Sequence, residues 1–215
     1  MKRTVHGLPT HVFEAQDPKA PLVVALHGIG SNEDDLPNAY QPLADRVALA
    51  FPRSPLSHPP GYAWYRLIRF GVPEEASFAQ ALEILDAWLD ELRQLPGMAE
   101  RPLVLSGFSQ GAIMSLSYAL RHPEKVAGVM AFSGYIPQLV LDALPSGSSE
   151  GADLKVFLTL GQRDALFPFA WLAQSAQQLQ ARGIQPEVVA HDGGHEIPPP
   201  VMEAAIAWLS RAFSI

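Results

Sequence analysis

An α/β architecture, with a mostly parallel central sheet and helices on both faces, is what this sequence predicts. Three observations predict it: short, nearly continuous apolar runs recur along the chain, helical-period segments separate them, and the alternation continues to the end of the 215 residues. Runs that are apolar at nearly every position suit strands buried on both faces of a parallel sheet. Their alternation with helices implies right-handed crossovers, and ligands then gather at the carboxyl ends of the strands. Length fits one domain over residues 1–215, and 48% hydrophobic residues supply one large core.

Taken in order, Val12, Phe13 and Glu14 precede the repeating part and are predicted as an antiparallel edge strand. Strand-like runs follow at residues 21–26, 47–51, 102–105, 126–132, 154–160 and 187–190, each closed by Gly, Pro, Ser or Asp. Between them, Phe78, Leu82, Leu85, Leu89 and Leu92 step by four and three and so line one face of a helix. Residues 110–120 are rich in Ala, Leu and Met, while residues 168–180 and 200–213 open on a Pro that the first helical turn tolerates. Residues 52–61, with Pro52, Pro55, Pro59 and Pro60, and residues 145–151, with a Ser/Gly cluster, read as surface loops.

Charge and composition exclude several functions. A net charge of -7 and the lack of any Lys/Arg run argue against nucleic acid or anionic lipid as a partner. With 0 Cys there is no disulfide, thiolate metal site, thiol nucleophile or lipid-attachment cysteine. No apolar stretch approaches the roughly 20 residues that span a bilayer. Thr4, His6, Pro9, Thr10 and His11 interrupt any signal-like apolar core after the basic start, so the expected location is cytoplasmic.

The chemistry is carried by Gly107-Phe108-Ser109-Gln110-Gly111, which follows a buried strand and opens a helix. In that context Gly-x-Ser-x-Gly is a nucleophile elbow: the turn is too tight for flanking side chains, and Ser109 stands at the edge of the sheet. Ser106, Ser115 and Ser117 lack the turn and read as structural. The expected fold is thereby the α/β-hydrolase fold, whose chain order is Ser, acid, His.

A serine hydroxyl needs a general base, and the base needs a group that fixes its tautomer. His195 lies in a Gly-Gly-His turn after a predicted strand and just before the last helix, so it is the expected base. His191 shares the loop and stays as the alternative, whereas His122 sits at a helix end, where a cation suits the dipole. Asp164 ends a buried strand and is the expected acid. Asp192, three residues from His195, is the competitor and reads as a turn-former. For the oxyanion, the amides of Gln110, after the nucleophile, and Ile29, in the Gly-rich turn after the first buried strand, are expected donors, with His27 orienting the turn.

The sequence resembles the phospholipase/carboxylesterase family of α/β-hydrolases, the group of acyl-protein thioesterases and small bacterial carboxylesterases. The resemblance covers most of the chain and rests on Leu26-His27-Gly28-Ile29-Gly30, residues 51–55 leading to Ala63-Trp64-Tyr65, the Ser109 elbow, Gly161-Gln162-Arg163-Asp164 and Gly194-His195-Glu196-Ile197. It implies a Ser109, Asp164, His195 triad, an oxyanion hole from Ile29 and Gln110, no metal or other cofactor, and acyl transfer from esters or thioesters to water. It also admits a homodimer.

Arg66 departs from the family pattern, in which an acidic residue is common at that place. With Arg69 it suggests an acidic substrate or a plain charged surface. Trp64, Tyr65 and Phe70 are candidates for an acyl-binding wall, with residues 136–141 opposite. Two other readings stand beside hydrolysis of small esters: a serine peptidase on the same fold, and a non-catalytic binding protein on a hydrolase scaffold.

Overall fold

The computed structural model describes residues 1–144 and 153–215, so the loop expected at residues 145–151 lies outside the described residues. The chain opens with β1 (Lys2–Val5), β2 (Leu8–Phe13), β3 (Leu22–Leu26) and β4 (Ala48–Pro52). Two small hairpins, β5 (Leu56–His58) with β6 (Gly61–Ala63) and β7 (Leu67–Arg69) with β8 (Val72–Pro73), lead into helix α1 (Glu75–Arg93). Then come β9 (Leu103–Phe108), α2 (Gln110–Arg121), β10 (Gly128–Phe132), α3 (Gln138–Ala143), β11 (Lys155–Gly161), α4 (Ala170–Gln180), β12 (Glu187–His191) and α5 (Pro199–Phe213).

The main sheet runs β1-β2-β4-β3-β9-β10-β11-β12, parallel from β4 to β12, with β1 and β2 antiparallel at one side. Period-two alternation divides its strands between two cores. Leu22, Val24 and Leu26 of β3, with Leu103 and Leu105 of β9, face the layer of α1, α2 and α4. Val23, Ala25 and Val104 face the layer of α5 and the segment around Tyr40 and Leu43. Both layers are needed because strands apolar on every residue leave no face for water.

Each helix follows from its pattern. All five stripe residues of α1, from Phe78 to Leu92, are buried, and the Glu74 side chain caps the helix by accepting from Ser77 N at 3.2 Å. In α2 every residue from Gln110 to Leu120 is buried, which explains its run of small and apolar side chains. Among the described residues, no helix is long and apolar enough to cross a membrane.

Two expectations need correction. Residues 12–14 are not the sheet's edge: the chain turns at His6 and Gly7, both at positive φ, and β1 pairs outside β2. Lys2, Arg3 and Thr4 hide that strand because an exposed edge carries no apolar signal. Residues 52–61 are also more than a loop, since Leu56 to His58 fold back on Gly61 to Ala63 as a hairpin. The stretch thereby becomes an arm reaching from β4 over the carboxyl edge of the sheet.

Candidate active site

Ser109 sits between β9 and α2 at φ 54, ψ −118, a sparsely populated conformation for a residue with a side chain. Such strain costs about 1–3 kcal/mol and persists only where neighbours over-determine it. Here Ser109 N donates to Phe132 O at 2.9 Å, and Ile113 N donates to Ser109 O at 3.1 Å. The flanking glycines are sterically obligatory: a Cβ on Gly111 would overlap the Leu26 carbonyl, and one on Gly107 would overlap the Gly111 backbone.

Asp164 and His195 come from loops after β11 and β12, laced together by Gln162 N donating to His191 O at 2.7 Å and Arg163 N donating to Gly193 O at 3.0 Å. The Arg163 guanidinium adds a bond to Asp192 O. Gly161 permits this approach, because a Cβ there would strike the carbonyls of Gly193 and Gly194. Asp164 Oδ2 lies 2.7 Å from His195 Nδ1, and its Oδ1 accepts from Leu166 N at 2.8 Å and Phe167 N at 2.9 Å. The carboxylate is fully buried yet fully satisfied, as a buried charge must be.

With Nδ1 engaged by Asp164, His195 has Nε2 left for chemistry. Its ring stands between Phe108, at 4.8 Å between centroids, and Phe167, at 5.2 Å. The two competing residues face elsewhere. His191 Nδ1 accepts from Gly193 N in its own loop, and Asp192 meets Arg163 through its main chain. His122 caps the end of α2 against the Tyr118 ring.

The Gly28-Ile29-Gly30 turn follows β3. Gly30 N donates to Tyr62 O and Tyr62 N donates to Ser31 O, each at 2.8 Å, so the β5–β6 arm clamps it. His27 is buried beneath, its Nε2 accepting from Ser54 N at 3.0 Å, so the proton rests on Nδ1, which donates to Gly28 O at 2.7 Å. Burial pushes the His27 pKa down and keeps it neutral. Glu33, with no exposed side-chain surface, accepts from Arg53 at 2.6 and 2.7 Å and from Lys2 at 2.6 Å. Burial opposes its ionisation, but the two cations outweigh that and lower its pKa to about 2. Among the described residues, neither Ile29 N–H nor Gln110 N–H donates to another backbone group.

A cavity of about 120 Å³ is lined by Ser109, His195, Gly28, Ile29 and Gln110 together with Tyr65, Leu67, Ile113, Tyr135 and Phe167. Trp64 does not join them. Its indole N–H donates to His27 O at 3.0 Å, so it props the turn from beneath while Tyr65, the next residue, reaches the cavity. Phe70 lines the rim, whereas Ile136 to Leu141 lie outside the lining. Arg66 and Arg69 are exposed and also outside it.

Sequence reasoning missed the Gln110 side chain, which accepts from Trp64 N at 2.7 Å and donates to Tyr65 O at 2.8 Å. It also missed Tyr135 and Phe167, whose aromatic neighbourhood with Trp171 forms only when the segment after β10 meets the one leading into α4.

A model of the phospholipase/carboxylesterase family matches residues 9–212. The chain belongs to that family. Membership makes this phospholipase/carboxylesterase family protein a carboxylic ester hydrolase, on an α/β-hydrolase fold. Similar sequences include acyl-protein thioesterase 1 of Schizosaccharomyces pombe, 30% identical over 125 residues that are 54% of this chain and 53% of the yeast protein. The acyl-protein thioesterase 1 of Eremothecium gossypii is 24% identical over 94% of this chain and 92% of its own. Among solved structures, the Bacillus cereus carboxylesterase superposes with a TM-score of 0.82 at 18% identity, covering 95% of this chain and 94% of its own. Esterase PE8 gives a TM-score of 0.80 at 28% identity, covering 95% and 99%.

Proposed function

We propose that this family member hydrolyses small carboxylic esters or thioesters through an acyl-enzyme, with Ser109 as nucleophile, His195 as general base and acid, and Asp164 orienting the imidazole. One observation carries the reading: the Asp164–His195 pair at 2.7 Å leaves for chemistry the Nε2 of an imidazole that lines the same cavity as a strained Ser109. In the first half-reaction Ser109 Oγ bonds to the carbonyl carbon as its proton passes to His195 Nε2. The carbonyl electron pair moves onto oxygen, where the amides of Ile29 and Gln110 receive it. His195 then returns the proton to the departing alkoxide or thiolate as the acyl–O or acyl–S bond breaks. Water repeats the sequence on the acyl-enzyme, releasing the acid and restoring Ser109.

The test is turnover of a short-chain p-nitrophenyl ester by Ser109→Ala. A fall in kcat of about 10³-fold or more is expected, as for other triads, and wild-type turnover would overturn the nucleophile. Fluorophosphonate labelling of Ser109 separates an enzyme from a binding protein. An amide analogue turned over faster than its ester would establish the peptidase reading instead.

A further inference from the structure

The cavity holds one polar group that acyl transfer leaves unused, the Tyr65 hydroxyl. Tyr65 is 1% exposed and lines the cavity, its ring set edge-on to Phe78 at 4.8 Å between centroids. Among the described residues its hydroxyl has no hydrogen-bond partner, yet it is not one of the partnerless polar atoms sealed from solvent. The hydroxyl therefore faces the open space of the cavity. Tyr135 beside it is different, since its hydroxyl donates to Gly71 O at 2.7 Å. Burial pushes the Tyr65 phenol well above its ordinary pKa, so it stays protonated and able to donate. A buried donor left without a partner is disfavoured, and a ligand oxygen that meets it is correspondingly selected.

Size and charge narrow that ligand. An apolar cavity of roughly 150 Å³ holds one benzene molecule, so a cavity of about 120 Å³ takes an acyl group of about four or five carbons. Among the described residues no Lys or Arg lines it, and a carboxylate there would be desolvated without a counter-charge. We propose that the Tyr65 hydroxyl hydrogen-bonds an oxygen on the acyl half of the substrate, which makes short, neutral hydroxyacyl or oxoacyl esters and thioesters the preferred class. This rests on the reading of Ser109 as nucleophile and of the cavity as the acyl site.

The experiment compares kcat/KM for butanoyl and 3-hydroxybutanoyl esters of one phenol, each normalised to that ester's alkaline hydrolysis rate, in the full-length wild type and in Tyr65→Phe. The wild type is expected to favour the hydroxylated ester about tenfold, the discrimination of one buried hydrogen bond. Tyr65→Phe, which keeps the ring against Phe78, should bring the ratio of the two normalised kcat/KM values to about one, whatever it does to each of them. A wild type that turns over both equally overturns the proposal, whether or not the variant folds. So does a preference that survives Tyr65→Phe. In Ser109→Ala, undiminished turnover of both esters would instead overturn the nucleophile assignment, which the Tyr65 ratio does not test.

Discussion

Gln110 holds Tyr65 and Trp64 by their main chains, donating from Nε2 to Tyr65 O at 2.8 Å and accepting at Oε1 from Trp64 N at 2.7 Å. The residue whose amide is the proposed oxyanion donor thus also fixes the segment that walls the cavity and props the Gly28-Ile29-Gly30 turn. Only a side-chain amide offers one donor and one acceptor in that geometry. Gln110→Leu leaves two buried backbone groups unpaired, each costing about 1–3 kcal/mol. Denaturant unfolding should show a loss of about 2–6 kcal/mol, and kcat should fall with it. Gln110→Glu keeps the acceptor but loses the donor toward Tyr65 O, so it too should destabilise.

Asp164 separates orientation from stability. In Asp164→Asn the side-chain oxygen still accepts from Leu166 N and Phe167 N, but the amide presents a donor to His195 Nδ1. The imidazole then carries its proton on Nε2 and no longer accepts one from Ser109. We expect kcat to drop about 10⁴-fold, the size of this effect in a serine protease, with a thermal midpoint within a few degrees of wild type. A retained kcat would mean that another carboxylate orients His195.

These two residues mark how far the sequence could be read. Strands such as Leu22 to Leu26 were legible because burial on both faces makes every residue apolar. The elbow was legible because Gly107 and Gly111 leave no room for a side chain. Asp164 and His195 could be placed by strand ends, yet their 2.7 Å contact depends on the lacing through Gln162 and Arg163, which backbone groups make and composition does not encode. The placing of Trp64 under the turn rather than in the cavity lining is not legible, because aromatic character does not say which of the two a side chain faces. Tyr135 and Phe167 belong to loops after different strands, and their convergence is tertiary.

The ionisable groups packed around the Gly28-Ile29-Gly30 turn predict acid sensitivity in two windows. Glu33 titrates at about 2 in the folded protein against an ordinary value of 4.5. The unfolded chain therefore binds the proton first, and the stability Glu33 confers is complete above pH 4.5 and lost as pH falls toward 2. His27, held below its ordinary 6.5 by burial, likewise confers stability present above pH 6.5 and lost as pH falls below it. Urea midpoints across acid pH should fall in both ranges. Glu33→Gln should flatten the lower one, and a profile unchanged by it would remove Glu33 from the acid response.

Phe167 does two jobs that one substitution can separate. Its ring meets His195 at 5.2 Å between centroids and also packs with Phe70, Tyr135 and Trp171, so it both flanks the proposed base and lines the cavity. Phe167 is 4% exposed, and Phe→Ala at a buried site costs about 3–5 kcal/mol. Phe167→Leu keeps much of the volume and the stability while removing the ring set perpendicular to the imidazole, so kcat should fall for every acyl length alike. Phe167→Ala enlarges the cavity, and kcat/KM should shift in favour of longer acyl chains even as stability drops. An unchanged chain-length profile in Phe167→Ala, measured below its unfolding temperature, would place the acyl chain on the other side of Ser109.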